Sequence, residues 1–154
     1  MSDRFFLDTN IFVYSFDENA PEKAGRALDL IRRAVKTGKG IVSYQVVQEF
    51  FNVALKRFAS PMTTTDAEAY LKTVFRPLLV THSSQALYAE ALRVKERYRL
   101  AWYDSLIVTS AMETGCETLY TEDLQDGQRF GHIRVANPFA GNPAKMPTEV
   151  RDNK

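Results

Sequence analysis

Short apolar runs alternate with longer segments of helical periodicity along most of this 154-residue chain, and the alternation limits the folds that it can adopt. The runs predict strands, and apolar residues recurring every three or four positions predict helices between most of them. Strands that alternate with helices favour an α/β architecture with a mainly parallel sheet. The predicted strands are 5–7, 40–43, 78–81, 117–120 and 133–136, and the predicted helices are 21–37, 44–58, 65–75, 85–98 and 102–114.

Capping and breaking residues mark several of these helix boundaries. Pro21 and the acid after it suit the first turn of helix 21–37, and Gly38 ends that helix. Thr65 and Glu68 have the spacing of a capping box. Helix 102–114 is apolar on nearly every side, which predicts that it is buried.

Length, charge and cysteine content exclude several classes of protein. The length fits one domain at 1–140, followed by an irregular or disordered tail at 141–154. The net charge of +1 gives no general attraction to nucleic acid. Cys116 is the one cysteine, so no disulfide can form within the chain, and no apolar run could span a bilayer. Because no signal peptide is recognisable, we expect a cytoplasmic protein.

Carboxylates follow two predicted strands and lie at or within two predicted helices. Ligands of a parallel sheet bind at the carboxyl ends of its strands. Asp8 follows the first strand, and Glu122 and Asp123 follow Thr121 after strand 117–120. Asp104 begins helix 102–114, and Glu49 lies inside helix 44–58.

Each acid also has an explanation that involves no site. Asp104 could be a plain helix cap, and the run 121–123 could cap a short helix at 124–127. Asp8 could form an Asx-turn with Asn10. Glu49 could belong to a solvated helix face, because it falls opposite an apolar stripe. That polar face comprises Gln45, Glu49, Asn52 and Lys56, and the apolar stripe comprises Val47, Phe50, Phe51, Ala54 and Phe58.

If the acids converge, they need a cation. Two carboxylates about 4 Å apart repel by about 4 kcal/mol at an effective dielectric constant near 20. An all-oxygen set selects Mg²⁺ or Mn²⁺, which can polarise a phosphoryl oxygen and activate water. Zinc would favour cysteine and histidine, and Cys116, His82 and His132 are widely scattered. The pattern therefore indicates metal-assisted hydrolysis of a phosphodiester.

Four motifs in order resemble the PIN-domain nucleases, and most closely the VapC-like toxins of type II toxin–antitoxin pairs. They are "FLDTNIFVY", a glutamate on the helix after the second strand, "YDSLIVTSA", and "LYTEDLQDGQRF" followed by "VANPF". The resemblance covers about residues 4–139. It implies a three-layer α/β/α fold, an acidic Mg²⁺ or Mn²⁺ site, and endoribonuclease activity.

The resemblance also assigns roles residue by residue. Asp8 and Asp104 correspond to the core metal ligands, Asp123 completes the cluster directly or through water, and Glu49 binds metal or orients water. Many relatives have a neutral residue in place of Glu122, so the fourth acid could be Glu122 or Asp123; the register after the threonine favours Asp123. The usual polar supports correspond to Thr9, Asn10 and Thr121.

Basic side chains and partners complete the prediction. RNA phosphates could lie along six cations, although a solvated helix end with dipole-favourable charges explains them equally well. The resemblance further implies an antitoxin partner and a homodimer. The candidate RNA-binding residues are Lys56, Arg57, Arg93, Lys95, Arg97 and Arg99.

Four other functions compete with the toxin hypothesis. The same fold could be an inactive module that binds RNA or protein, or a nuclease in RNA processing. DNA could be the substrate, because nothing in the sequence recognisably reads a 2′-hydroxyl. A phosphatase with Asp8 as nucleophile would typically need a second aspartate where this chain has Asn10.

Overall fold

A six-stranded sheet forms the centre of the computed structural model, which describes residues 3–140. The strand order is β3-β2-β1-β4-β6-β5; every neighbouring pair is parallel except β5 and β6. The α/β fold with a mainly parallel central sheet is thus confirmed. The strands are β1 (Phe5–Leu7), β2 (Gly40–Ser43), β3 (Leu79–Thr81), β4 (Thr118–Tyr120), β5 (Arg129–Phe130) and β6 (Ile133–Ala136).

The sheet is covered on both faces at its centre. Successive side chains of a strand point to opposite faces, yet every residue of β1 and β2 is buried. Helices must therefore pack on both sides of these strands, as expected for parallel strands joined by helical crossovers. The helices are α1 (Thr9–Tyr14), α2 (Pro21–Thr37), α3 (Tyr44–Ala54), α4 (Thr64–Tyr70), a π-helical turn (Leu71–Phe75), α5 (Arg76–Leu78), α6 (Gln85–Tyr98) and α7 (Trp102–Glu113).

An aromatic cluster fixes α1 and α3 against the sheet. Phe12, Phe50 and Phe75 are fully buried, and their ring centroids lie 5.0 to 6.4 Å apart. Tyr70 stacks on Phe50 at 5.0 Å. Such ring pairs stabilise a core beyond the area that they bury. Because Asp8 caps α1 and Glu49 lies in α3, this cluster also helps to fix the positions of these two acids.

Several predicted boundaries were wrong, and three short elements were missed. Helix α3 ends at Ala54 and not at 58, and the capping box joins Thr63 to Asp66 and not Thr65 to Glu68. Strands β3 and β4 each begin one residue later than predicted, and α7 ends one residue earlier. The elements α1, α5 and β5 were not predicted.

The predicted tail at 141–154 lies outside the described residues. Within residues 3–140, no helix is both long enough and apolar enough to cross a membrane.

Candidate active site

Asp8 lies at the junction of β1 and α1 and is only 7% exposed. Its Oδ1 accepts a 2.7 Å hydrogen bond from the backbone nitrogen of Thr9, which makes Asp8 the N-cap of α1. Its Oδ2 accepts a 2.7 Å bond from the hydroxyl of Thr121. The Asx-turn with Asn10 is not formed, because Asp8 Oδ1 accepts from the backbone nitrogen of Thr9 and not from that of Asn10. The carboxylate is therefore held by two strong donors from neighbouring strand ends.

Burial nevertheless makes ionisation of Asp8 unfavourable. Loss of hydration, followed by the charges of Asp123 and Glu49, raises the pKa of Asp8 to about 6, against the lowering effect of its two hydrogen bonds. Two further acids thus lie close enough to Asp8 to disfavour its negative charge.

Glu49 is half-buried and faces Asp8, not bulk solvent. Its Oε1 accepts a 2.6 Å hydrogen bond from the hydroxyl of Thr9, and its Oε2 accepts a 3.2 Å bond from the amide nitrogen of Gln45. Gln45 is buried as well. The polar face of α3 is therefore not solvated at Gln45 and Glu49, so that explanation is wrong for these two residues. Thr9 therefore links the two acids, because its backbone nitrogen bonds to Asp8 and its hydroxyl bonds to Glu49.

Asp104 is the third residue of α7 and does not cap that helix. The N-cap is Ala101, which makes no side-chain cap bond, so the capping explanation for Asp104 is wrong. Burial, followed by the charge of Glu49, raises the pKa of Asp104. The Gln45 amide nitrogen also donates to the carbonyl oxygen of Tyr103 at 3.3 Å, directly beside Asp104.

Asp123 joins the same group through Thr121. Its backbone nitrogen donates to the Thr121 hydroxyl oxygen at 3.1 Å, while that hydroxyl donates to Asp8. Burial, and then the charges of Asp104, Glu122 and Glu49, raise the pKa of Asp123. No helix forms at 124–127, so the proposed cap at 121–123 has nothing to cap.

Glu122 is engaged elsewhere. Its Oε2 accepts a 2.6 Å bond from the Tyr14 hydroxyl and a 3.3 Å bond from the Asn10 amide, and its Oε1 pairs with Lys23 at 3.7 Å. Burial and the Glu122 carboxylate raise the pKa of Tyr14 to about 12, which keeps the donor protonated. Glu122 therefore has two hydrogen-bond donors and one lysine as partners, whereas Asp123 has no ion pair within residues 3–140.

The four acids Asp8, Glu49, Asp104 and Asp123 form an acidic group that lacks cationic compensation. None of the ion pairs within residues 3–140 involves them. Their oxygen chemistry suits a hard divalent cation. Over the same residues, no three Asp, Glu, His or Cys side chains are close enough to hold a metal ion in their present positions. Metal binding at this site would therefore require the carboxylates to move closer together.

A PIN-domain family model matches residues 5–129, which is most of the chain. The chain belongs to the PIN-domain family. No curated protein matches it significantly.

Solved structures similar to this PIN domain include three from toxin–antitoxin systems. One is VapC20 of Mycobacterium tuberculosis, a sarcin–ricin loop cleaving toxin (TM-score 0.62, 18% identity, 84% of this chain and 98% of that chain). A second is DNA-bound VapBC of Salmonella typhimurium (TM-score 0.61, 18% identity, 90% of this chain and 99% of that chain). A third is a toxin–antitoxin complex from Klebsiella pneumoniae (TM-score 0.61, 18% identity, 87% of this chain and 97% of that chain). At this identity the likeness concerns the fold.

The predicted RNA-binding residues of the PIN domain are all exposed. Lys56 and Arg57 follow the end of α3, two turns beyond Glu49. The other four lie on the last two turns of α6 or at its C-cap, where Arg99 adopts the left-handed conformation (φ 58°). Both groups are therefore accessible to a charged polymer.

Sequence reasoning missed two polar residues of this PIN domain. Gln45 contacts Glu49 and the backbone beside Asp104, and Tyr14 holds Glu122. The four-residue spacing of Gln45 and Glu49 placed them on one helix face, which is a usable signal. The spacing alone could not show that this face is turned inward. Nothing in the sequence pairs Tyr14 with a residue so distant in the chain.

Proposed function

We propose that this chain is a divalent-metal-dependent endoribonuclease and the toxin of a type II toxin–antitoxin pair. One observation carries the proposal. Four carboxylates from distant parts of a PIN domain lie within electrostatic reach of one another, and no ion pair within residues 3–140 neutralises them. A structural role does not account for such a group, because clustered like charges destabilise a fold unless a cation binds.

The carboxylate oxygens of these residues suit Mg²⁺ or Mn²⁺ chemically, and each residue would have a role. Asp8 and Asp104 would be the principal ligands, Asp123 would bind directly or through water, and Glu49 would bind or orient water. A bound divalent cation would supply the Lewis acidity that phosphodiester hydrolysis requires. Thr9 and Thr121 would keep their hydrogen bonds to Glu49 and Asp8, which fixes the direction of each carboxylate.

RNA as substrate is supported by exposed cations that lie close in the sequence to two acids of the site. Lys56 and Arg57 follow the helix that carries Glu49, and Arg99 lies five positions before Asp104. Phosphates bound to these side chains would lead a strand toward the acids. The comparison with VapC20, a toxin that cleaves an RNA loop, favours RNA over DNA.

A partner protein is proposed from the toxin–antitoxin complexes among the similar structures. An acidic group without a paired cation attracts an inserted arginine, whose guanidinium can make bidentate bonds to carboxylates. The antitoxin would therefore inhibit by placing an arginine where the metal binds. Added Mg²⁺ should weaken such inhibition by competition.

A homodimer is proposed from the surface of α6 and α7. These two helices expose Tyr88 (40%), Leu92 (57%) and Tyr103 (64%). Such side chains are enriched at interfaces when they are grouped. Light scattering of Leu92→Glu against the wild type tests this surface, and an unchanged dimer mass would exclude Leu92 from the interface.

The central experiment measures cleavage of single-stranded RNA by the purified chain. We expect cleavage with Mg²⁺ or Mn²⁺, and none with EDTA or in Asp8→Asn. Asp29→Asn is the matched control, because it makes the same change on the exposed face of α2. Equal cleavage by Asp8→Asn would overturn the mechanism. RNA binding without cleavage would indicate an inactive module, and preferential cleavage of DNA would change the substrate class.

A further inference from the structure

Gln45 connects two helices that carry acids of the active site. It lies in the first turn of α3 and is only 5% exposed. Its amide nitrogen donates to Glu49 Oε2 at 3.2 Å and to the carbonyl oxygen of Tyr103 at 3.3 Å. Both partners can only accept, so the orientation of the amide is fixed by chemistry. One side chain thus spans from Glu49 to the residue before Asp104.

The other atom of the same amide has no partner. Gln45 Oε1 is buried, and no described residue donates a hydrogen bond to it. An unpartnered buried amide oxygen destabilises a fold, and an apolar side chain of the same shape would avoid that cost. Gln45 is therefore a poor choice for packing alone. Its favourable contacts are the two that align the acid-bearing helices.

We propose that Gln45 is a positioning residue that holds Glu49 and the Asp104 segment in register for metal binding, an inference that rests on the proposed function. The pair Gln45 and Glu49 share one face of α3, four residues apart. Fixing the Glu49 carboxylate with one amide donor keeps its other oxygen for Thr9. Neighbours of this kind that orient ligands typically change metal affinity about 10- to 100-fold when removed.

The test is Mn²⁺ binding to the full chain by calorimetry, which is independent of nuclease activity. Gln45→Met, an apolar side chain of similar shape, should weaken Mn²⁺ binding about tenfold. Its melting temperature without metal should be unchanged or higher, because the unpartnered oxygen is gone. Gln48→Met makes the same change at an exposed position of α3 and should bind Mn²⁺ like the wild type. If Gln45→Met does not fold, Gln45→Asn, whose amide is too short to reach both partners, should show the same weakening.

A double substitution tests whether Gln45 acts through Glu49. In the Glu49→Ala background, Gln45→Met should weaken Mn²⁺ binding by clearly less than tenfold, because only the contact with the Tyr103 carbonyl oxygen remains to be lost. A full tenfold loss in that background would overturn the positioning role, as would wild-type affinity of Gln45→Met alone. A wild-type chain that binds no Mn²⁺ would overturn the proposed function and this inference together. If Asp8→Asn abolishes binding and both Gln45 variants retain it, only the inference fails.

Discussion

At the level of single residues, Asp8 links protonation of the site to the stability of the fold. Its folded-state pKa of about 6 lies above the ordinary value of 3.8. Between these two values the folded chain keeps a proton that the unfolded chain has lost. Stability is therefore greatest below pH 4 for this group and falls as the pH rises through 6. At about 1.4 kcal/mol per pKa unit, the loss approaches about 3 kcal/mol.

Asp8→Asn should remove most of this loss. In EDTA, the free energy of unfolding of the wild type should fall by about 3 kcal/mol from Asp8 alone between pH 4 and pH 7, and the variant should lose much less. Urea denaturation across this pH range measures the difference, with Asp29→Asn as the control that follows the wild type. An equally steep fall in Asp8→Asn would show that Asp8 is not the buried ionising group.

Adjacent acids should differ sharply in function. Asp123→Asn should lower RNA cleavage by on the order of 100-fold, because its carboxylate is exposed to the charges of Asp104 and Glu49. Glu122→Gln should lower RNA cleavage only about threefold, because the Glu122 carboxylate already bonds to Tyr14, Asn10 and Lys23. Cleavage rates of the two variants at saturating Mn²⁺ separate them. The reverse order would make Glu122 the fourth acid.

At the level of elements, strong local patterns were predictable and short elements were not. Helices α2 and α6 and strands β1, β2 and β6 have the predicted bounds, because periodicity, apolar runs and caps mark them. The six residues of α1 are too few to show helical periodicity, and β5 is too short to show a pattern. Thr63 and Thr65 both have an acid three residues later, so spacing alone could not choose the real capping box.

The acids of the site were predictable for a different reason. Asp8 and Asp123 follow strands, so the rule for parallel sheets placed them at one edge. Glu49 required the family resemblance, since helical spacing left its face ambiguous. The bonds made by Gln45 and Tyr14 depend on contacts between distant segments, and periodicity carries no information about those.

The contact of α2 with β2 depends on a missing side chain. A Cβ at Gly40 would overlap the Cβ of Ala34 and lie 2.8 Å from its Cα. Gly40→Ala should therefore destabilise the fold by about 2 kcal/mol or more through overpacking. Gly25→Ala is the matched control inside α2, where nothing lies within 4 Å, and it should stabilise by about 0.5–1 kcal/mol. Urea denaturation measures the free energy of unfolding of both variants. If Gly40→Ala and Gly25→Ala changed it by similar amounts, the close approach of Gly40 to Ala34 would be refuted.

At the level of the whole molecule, positive and negative charges nearly balance, but they are concentrated in different places: the four acids of the site and the candidate RNA-binding cations. The net charge is only +1, so attraction to a polyanion must come from local groups of cations. The acids oppose that attraction until a divalent cation is bound. Metal should therefore be needed for tight approach of RNA to the site as well as for the reaction.

Mn²⁺ should stabilise the whole fold in a pH-dependent way. At 100 times its dissociation constant a ligand adds about 2.7 kcal/mol, which raises the melting temperature of a domain of this size by about 5–10 °C. We expect this rise at pH 7.5 and little at pH 4.5, where Asp8 is protonated and the raised pKa values of Asp104 and Asp123 reduce their charge. Thermal melts of the wild type and Asp8→Asn measure it. Equal rises at both pH values would contradict metal binding by these carboxylates.

The strand order has a consequence for synthesis of the chain. β1 lies at the centre, with β2 on one side and β4 on the other, so the first strand made receives its second neighbour more than a hundred residues later. Asp8 leaves the ribosome early, but Thr121, which binds it, and Asp123 leave late. An incomplete nascent chain cannot assemble the acidic group. The site can therefore form only after the segment that contains β4, Thr121 and Asp123 has been synthesised.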